Sequence, residues 1–520
     1  MTKSSDVHIK SPNAKELIAF SAMVVGVFMA VLDVQVVSSS LPVIGAGLGA
    51  SADQLSWVQT SYLIAEVIVI PITGFISSVL STRISFFLAA LIFTIASFLC
   101  ALANGISDMI LFRTIQGFFG GAMIPTVFSV TFRIFPIDKQ ASVNMLIGLV
   151  VTIAPTIGPT VGGYITEKLS WHFMFLLNVI PGILVSTIIF LYADFDKPNY
   201  KLLKNFDYIG IVSLAVSLGS LQYILEEGPK HNWLSDNVVL GFTIITIISA
   251  IVFFAREFTA QHPVIDLRIF KNKNFAFGCS FSFILGSGLF GIVYLMPFFL
   301  FTIAGYSSMQ IGMTMIVTGV AQFISAPIAG KMVNSGTDLR IVASIGFALF
   351  GLGCYMNGFL SIDARFWEFF VPQLLRGMSV MFCFIPINSI TLGLLKKEEI
   401  PNASGIYNLV RNLGGAICIA MIGSKLISWT AMAKLYLNEN IHNSGSNSQH
   451  VLTMLKYAFT GSSHDPNLAS YAALESIVEA NAFVIATNNI FMSIGFLFFI
   501  GLAIIPFSSR VIIMKEGGGH

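Results

Sequence analysis

The sequence predicts an all-α membrane protein with about fourteen transmembrane helices and both termini in the cytoplasm. Three observations lead there. Of 520 residues, 55% are hydrophobic and only 10% are charged, whereas a soluble chain carries roughly 25% charged residues to cover its surface. A surface that apolar needs lipid as its solvent. Fourteen apolar stretches come close to the roughly 20 residues that cross about 30 Å of hydrocarbon. Finally, the basic residues between those stretches alternate as an even number of spans requires.

The windows fall at 17–42, 56–80, 84–104, 108–132, 143–165, 173–193, 208–226, 237–257, 275–303, 309–331, 341–361, 367–394, 403–425 and 484–508. The first follows Lys3, Lys10 and Lys15 as a signal peptide would. It has no small-residue cleavage site at its end and leads into further spans, so a retained helix is expected. The seventh is short and ends at Glu226 and Glu227. With this count most basic residues, Arg83, Arg133, Lys197, Lys271, Lys397 and Lys515 among them, face the cytoplasm. Only Lys168, Lys230, Arg365, Lys425, Lys434 and Lys456 face outward. One missed span would scramble that bias.

Two echoes suggest an internal repeat. Pro71-Ile72-Thr73-Gly74 closes span 2 as Pro327-Ile328-Ala329-Gly330 closes span 10. Span 4 carries Arg113 with Gln116-Gly117, and span 12 carries Gln373 with Arg376-Gly377. Both pairs lie eight spans apart. Two six-helix bundles separated by an inserted pair would produce that spacing, and parallel halves around a midplane cavity are a transporter architecture. The expected organisation is a cytoplasmic N-terminus at 1–16, a bundle at 17–193, a linker with two inserted helices at 194–257, a second bundle at 258–510 and a tail at 511–520. Between spans 13 and 14 lies a polar extracytoplasmic segment, 429–482, with helical patches near 452–459 and 474–484.

Composition also excludes function classes. A net charge of +2 with scattered basic residues gives no nucleic-acid footprint. The five cysteines all lie in apolar runs without metal or disulfide spacing. No histidine falls inside a long apolar run, so proton chemistry within the membrane falls to carboxylates. There is no Walker A sequence and no cytoplasmic domain long enough for catalysis or signalling. No cofactor is expected, and a membrane enzyme or sensor is the weakest of the open readings.

Motifs along the whole chain resemble a known family. Leu32-Asp33-Val34 through Leu41-Pro42, Leu111-x-Arg113-x-x-Gln116-Gly117 and Ala154-Pro155-Thr156-Ile157-Gly158-Pro159-Thr160-Val161-Gly162-Gly163 carry the likeness. So do Trp171-His172-Phe173-x-Phe175-x-x-Asn178-Val179-x-Pro181-Gly182, Pro263-Val264-Ile265-Asp266-Leu267 with Phe270, and Asn408-x-x-Arg411-Asn412-x-Gly414-Gly415. Together they resemble the fourteen-span drug:proton antiporters of the major facilitator superfamily (EmrB/QacA type), and among them the EmrB branch. The resemblance implies the major facilitator fold and multidrug efflux from a bacterial inner membrane. It also implies protons and small molecules as ligands, and docking of an EmrA-like periplasmic adaptor with an outer-membrane channel. A same-fold carrier of one metabolite, siderophore or fatty acid remains the alternative. The loop after span 2 departs from the family: Gly74 to Arg83 has Ser78 where an acid is usual and lacks most of the basic residues. A charge latch that the family builds there is missing.

Helix rise places the candidate coupling residues at depth. Asp33 lies roughly 13 Å from the outer end of its span, Glu66 roughly 17 Å and Arg113 roughly 8 Å. A central acid costs about 2.5–3.5 kcal/mol on insertion scales and is usually functional. A static, singly paired polar group is the other reading for both acids. Arg113 could snorkel outward or turn inward, and Gln116 with Gly117 mark an inward face. We expect Asp33, Glu66 and Arg113 to act together in proton coupling. Pro155, Gly158, Pro159, Gly162 and Gly163 would bend and closely pack span 5, and the resemblance puts them at the moving interface of the bundles. Arg376, Asn408 and Arg411 are expected at the cavity or gate of the second half, Arg411 being near enough to the cytoplasmic end to snorkel instead.

Overall fold

The computed structural model describes residues 12–205, 207–259, 265–393, 395–396, 398–443, 446–460 and 465–510. Lys3, Lys10, Pro263-Val264, Lys397, Lys515 and the tail 511–520 lie outside the described residues. Helices account for the described chain: α1 (Ala14–Leu48), α2 (Ala52–Leu80), α3 (Thr82–Ala101), α4 (Ile106–Ile134), α5 (Ile137–Lys168), α6 (His172–Leu176), α7 (Val179–Tyr192) and α8 (Tyr208–Glu227) come first. They are followed by α9 (Asn237–Thr259), α10 (Lys273–Thr302), α11 (Ser308–Asn334), α12 (Leu339–Asn357), α13 (Phe366–Leu392), α14 (Ile400–Asn443), α15 (Ser446–Phe459) and α16 (Pro466–Ile504). Among the described residues thirteen helical stretches, α6 and α7 counting as one, are long and apolar enough to cross a membrane. Bent α5 raises the number to fourteen.

Local chemistry explains where the helices start and bend. Asn13 with Glu16, Ser51 with Gln54 and Ser307 with Gln310 form reciprocal capping boxes at α1, α2 and α11. Each satisfies two backbone donors that a helix start leaves orphaned. In α5 the stretches Ser142–Pro155 and Ile157–Lys168 meet at 44°, because a proline removes one backbone donor and pushes against the preceding turn. A single residue, Ser81, joins α2 to α3, in the left-handed region at φ 79°.

Packing separates two sets of helices. In the first, α2 lies on α4, α3 on α4 and α7, and α1 on α5; in the second, α10 lies on α14, α11 on α13, and α12 on α13 and α16. The sets meet where α5 runs along α11 and α2 along α14. The inserted pair, α8 and α9, attaches through α8 to α2, and α9 turns Ile244, Ile247, Ile248 and Ile251 outward as a lipid-facing helix should. The repeat recurs in three dimensions. A β-carbon at Gly117 would overlap the carbonyl oxygen of Tyr62, and one at Gly377 would overlap that of Thr318. In each set a glycine just after the arginine–glutamine pair lets two helices touch backbone to backbone.

The segment 429–482 differs from its expected form. α14 runs for 44 residues and α16 for 39, about 66 and 58 Å at helical rise, far more than the roughly 30 Å a membrane core needs. Apolar windows measure only the immersed part of a helix, which is why the sequence ended span 13 at 425 and began span 14 at 484. The extensions pack with α15, which lies on α16, and are clamped by Lys434 and Glu475 at 2.6 Å.

Candidate functional site

Arg113 and Asp33 pair in the interior, from α4 and α1, with both side chains fully buried. Arg113 Nη1 donates to Asp33 Oδ2 at 2.5 Å and to Gln116 Oε1 at 2.8 Å, while Nε donates to the carbonyl of Val58 at 3.2 Å. Gln116 Nε2 donates to Asp33 Oδ1 at 3.0 Å, and Asn178 Nδ2 to the same oxygen at 2.7 Å. Asn178 also donates to Ser97 Oγ at 3.1 Å, whose hydroxyl donates to the carbonyl of Phe175. The guanidinium lies 4.2 Å from the centre of the Tyr62 ring, a cation–π contact that partly offsets its lost hydration. The α1 carboxylate is thus held from α4 and from the α6–α7 break, and the outward-snorkelling position of Arg113 is excluded.

α4 can approach this closely because of its glycines. Gly117, Gly120 and Gly121 face Tyr62, Phe93 and Glu66 at separations that would not accept a β-carbon. Asn178 stands at the break between α6 and α7, where it can reach Asp33 without being part of a regular turn. The sequence motif contained Asn178 but assigned it no part. An amide in an otherwise apolar window was the signal available.

Glu66 is placed elsewhere. One helical turn along α2 from Tyr62, it is buried and accepts from Asn412 Nδ2 of α14 at 3.5 Å. The three groups expected to act together are arranged in two contacts: Arg113 pairs with Asp33, and Glu66, one turn from the Tyr62 ring that stacks on Arg113, bonds across the two helix sets. Residues one turn apart are separated by about 6 Å of rise on the same face, so Glu66 packs beside Tyr62 against α4, at Gly121, and reaches α14 from there.

In the second half Arg376 Nη2 donates to Gln373 Oε1, which also accepts from Thr318 Oγ1 at 2.6 Å. The arginine–glutamine pair three residues apart repeats that of Arg113 and Gln116 with the order reversed, and either order places both on one face. Arg411 Nη2 donates to Asn408 Oδ1 at 2.5 Å, and its guanidinium is 5.5–5.8 Å from the rings of Phe384, Phe128 and Tyr407. At 3% exposure Arg411 does not snorkel.

Span 5 turns its small residues to both helix sets. A β-carbon at Gly158 would overlap Gln35 Cβ of α1, inside the first set. The contacts of α5 with the second set include Thr160 against Gly312, Thr152 donating to Gln322 at 2.9 Å, Gly148 against Phe384 and Asn334 donating to Ser142 at 3.3 Å. Pro155 lines a cavity next to this seam. Pro159 and Gly163 are half-buried and Gly162 is buried, with the carbonyls of Gly162 and Gly163 accepting from Thr166 Oγ1. Successive α5 side chains point to different neighbours, and only side-chain direction decides which of them faces α11.

The absent charge of the loop after α2 is supplied from another place. Asp196, just beyond α7, accepts from the backbone and hydroxyl of Thr82 at 2.7 and 2.8 Å and from Arg133 at 2.5 Å. It caps α3 and ties it to the end of α4, a latch that no local motif could reveal.

The sequence profile of the Major Facilitator Superfamily matches residues 23–418. The chain belongs to this superfamily. It is 39% identical over 441 residues to the colistin resistance protein EmrB of Acinetobacter baumannii, covering 85% of this chain and 86% of that protein. With the multidrug export protein EmrB of Escherichia coli K12 it shares 27% over 514 residues, covering 97% and 98%. The solved proton:xylose symporter XylE superposes with a TM-score of 0.59 at 14% identity over 96% of each chain, a likeness of fold. Within the superfamily the chain falls in the EmrB-type efflux branch. It is a multi-pass membrane transporter and not an enzyme.

Proposed function

We propose that this member of the EmrB-type branch exports small amphipathic molecules across a bacterial inner membrane in exchange for protons, with Asp33 carrying the proton. The observation that supports this most is the wholly buried Asp33–Arg113 pair. Such a pair is expensive to bury and weak as a source of stability, and intramembrane ion pairs usually mark an ion path. Three donors occupy the carboxylate, so a proton arriving on Oδ2 displaces the Arg113 N–H. Rocking of the bundle 17–193 against 258–510 would separate and restore that contact, coupling protonation to which side is open. Gln116 and Gly117 hold the geometry, and Glu66 with Asn412 links it to the second bundle. Purified chain in liposomes tests the reading. An imposed pH gradient should drive uptake or release of several unrelated amphipathic dyes, and cells expressing it should resist an unrelated panel of toxic compounds. Protection against one compound only would favour a narrow-cargo carrier, and no response to the gradient would refute proton exchange.

We further infer that the extension at 429–482 docks an EmrA-like periplasmic adaptor leading to an outer-membrane channel. Its supports are the length of α14 and α16 beyond what a membrane core needs and the apolar side chains exposed on α14, α15 and α16, including Leu435, Tyr436, Tyr457 and Tyr471. Isolated exposed apolar residues are ordinary, but several on one projecting structure suit a partner surface. Replacing 438–470 by a short polar linker should leave transport in inside-out vesicles unchanged and remove resistance in whole cells. Equal loss in both assays would place the segment within the transport cycle instead.

A further inference from the structure

The first half neutralises its buried arginine with Asp33, whereas the second half leaves two arginines without a counter-ion. Arg376 and Arg411 are 2% and 3% exposed. Among the described residues neither takes part in an ion pair. Each also has a buried Nη1 without a hydrogen-bond partner. Gln373 and Asn408 accept one N–H apiece, and the aromatic rings around Arg411 soften its charge without cancelling it. Glu66 is engaged with Asn412 instead of with the Arg411 guanidinium.

Both arginines line one cavity of about 50 Å³, with Thr152, Thr318, Gln322 and Gln373 as its other polar lining and no acidic residue among those that form it. Phe290, Met315 and Phe350 contribute apolar wall. Buried charges are as a rule paired, and a planar guanidinium fork matches a carboxylate or phosphate in two-pronged fashion. At roughly 10–15 Å³ of such space per water, the cavity has room for a few waters or for one anionic head, and an attached apolar body would extend along the α5–α11 seam.

We propose that Arg376 and Arg411 form a binding site for the anionic head, carboxylate or phosphate, of an amphipathic molecule. That this molecule is cargo rests on the export reading; the site itself does not. The same chemistry could come from a free acid or from a lipid headgroup, and both are tested below.

The experiment uses purified full-length chain in an uncharged detergent, with labelled decanoate as probe and decanol and decylamine as matched competitors. Decanoate should bind saturably and resist a ten-fold excess of either competitor. Arg376→Gln and Arg411→Gln should each weaken it ten-fold or more. Arg411→Lys, which keeps the charge and loses the fork, should fall between, and monodisperse elution of each variant separates lost binding from lost folding. Displacement by decylamine as effective as by decanoate, or unchanged affinity in both glutamine variants, overturns the site. In nanodiscs, suppression of decanoate binding by phosphatidylglycerol but not by phosphatidylcholine assigns the site to a lipid headgroup, and equal binding in both assigns it to a free acid. Arginine-dependent binding without any pH-driven transport would defeat the export reading alone. Dye transport without arginine-dependent anion binding would defeat the site alone.

Discussion

Asp33→Asn is expected to reduce pH-driven export to the level of protein-free liposomes while cargo binding persists. The asparagine keeps the shape and some of the hydrogen bonds but cannot take up and release a proton at neutral pH. It also strands Arg113, whose side chain is fully buried, and breaking one partner of a buried pair costs about 3–5 kcal/mol. Loss of export by the single variant could then reflect instability. The double variant Asp33→Asn/Arg113→Gln separates the two effects, since it removes both charges together. Its thermal stability should return toward that of the wild type, and its export should not. Arg113→Lys retains charge without the planar fork that now serves Asp33, Gln116 and the Val58 carbonyl, so partial activity at best is expected. Export by the stable double variant that still follows the gradient would remove Asp33 from the coupling step and turn the test to Glu66, the other buried acid among the described residues of the first bundle.

The fold was legible because lipid imposes simple rules. Apolar windows of span length and the positive-inside bias located fourteen helices, and the structure has thirteen, or fourteen counting bent α5. The echo of Arg113-Gln116-Gly117 in Gln373-Arg376-Gly377 was readable as a repeat, and the glycines occupy matching backbone contacts. Depth along a helix could be counted, so Asp33 and Arg113 could be matched in level before their bond was visible.

Direction around a helix was the harder quantity. Hydrophobicity all round a membrane helix erases the amphipathic stripe that reveals which face looks inward. For that reason the sequence does not reveal that Glu66 meets Asn412 or that Gly158 meets Gln35. Contacts between residues far apart in sequence and without a shared motif were beyond reach altogether. Asp196 binding Thr82 and Arg133 is one, and the approach of Gly312 to Thr160 is another.

Gly312→Leu is accordingly expected to lower export about ten-fold or more in a chain that still folds and inserts. A β-carbon at Gly312 would lie 2.6 Å from Thr160 Cβ, an atom fixed to the α5 backbone that no rotamer change can withdraw. Overpacking of a tight contact costs roughly 1–3 kcal/mol. At this position the cost falls only on the state in which α5 and α11 touch, because an arrangement with the seam open has room for the side chain. A difference of about 1–3 kcal/mol between two states shifts their ratio roughly 5–150-fold, and a cycle that must visit both slows with the rarer one. Gly158→Leu provides the contrast. Its clash with Gln35 lies within the first set of helices and persists as that set moves as a body, so it should lower thermal stability without selecting a state. Paired cysteines at positions 142 and 334, whose side chains meet across the same seam at 3.3 Å, report the difference directly, since their cross-linking can be compared in the Gly312→Leu and Gly158→Leu backgrounds. Full export by well-folded Gly312→Leu would show that the α5–α11 contact is not visited in the cycle, and the rocking interface would then have to be sought along α2 and α14, where Gly74 meets the backbone of Pro401.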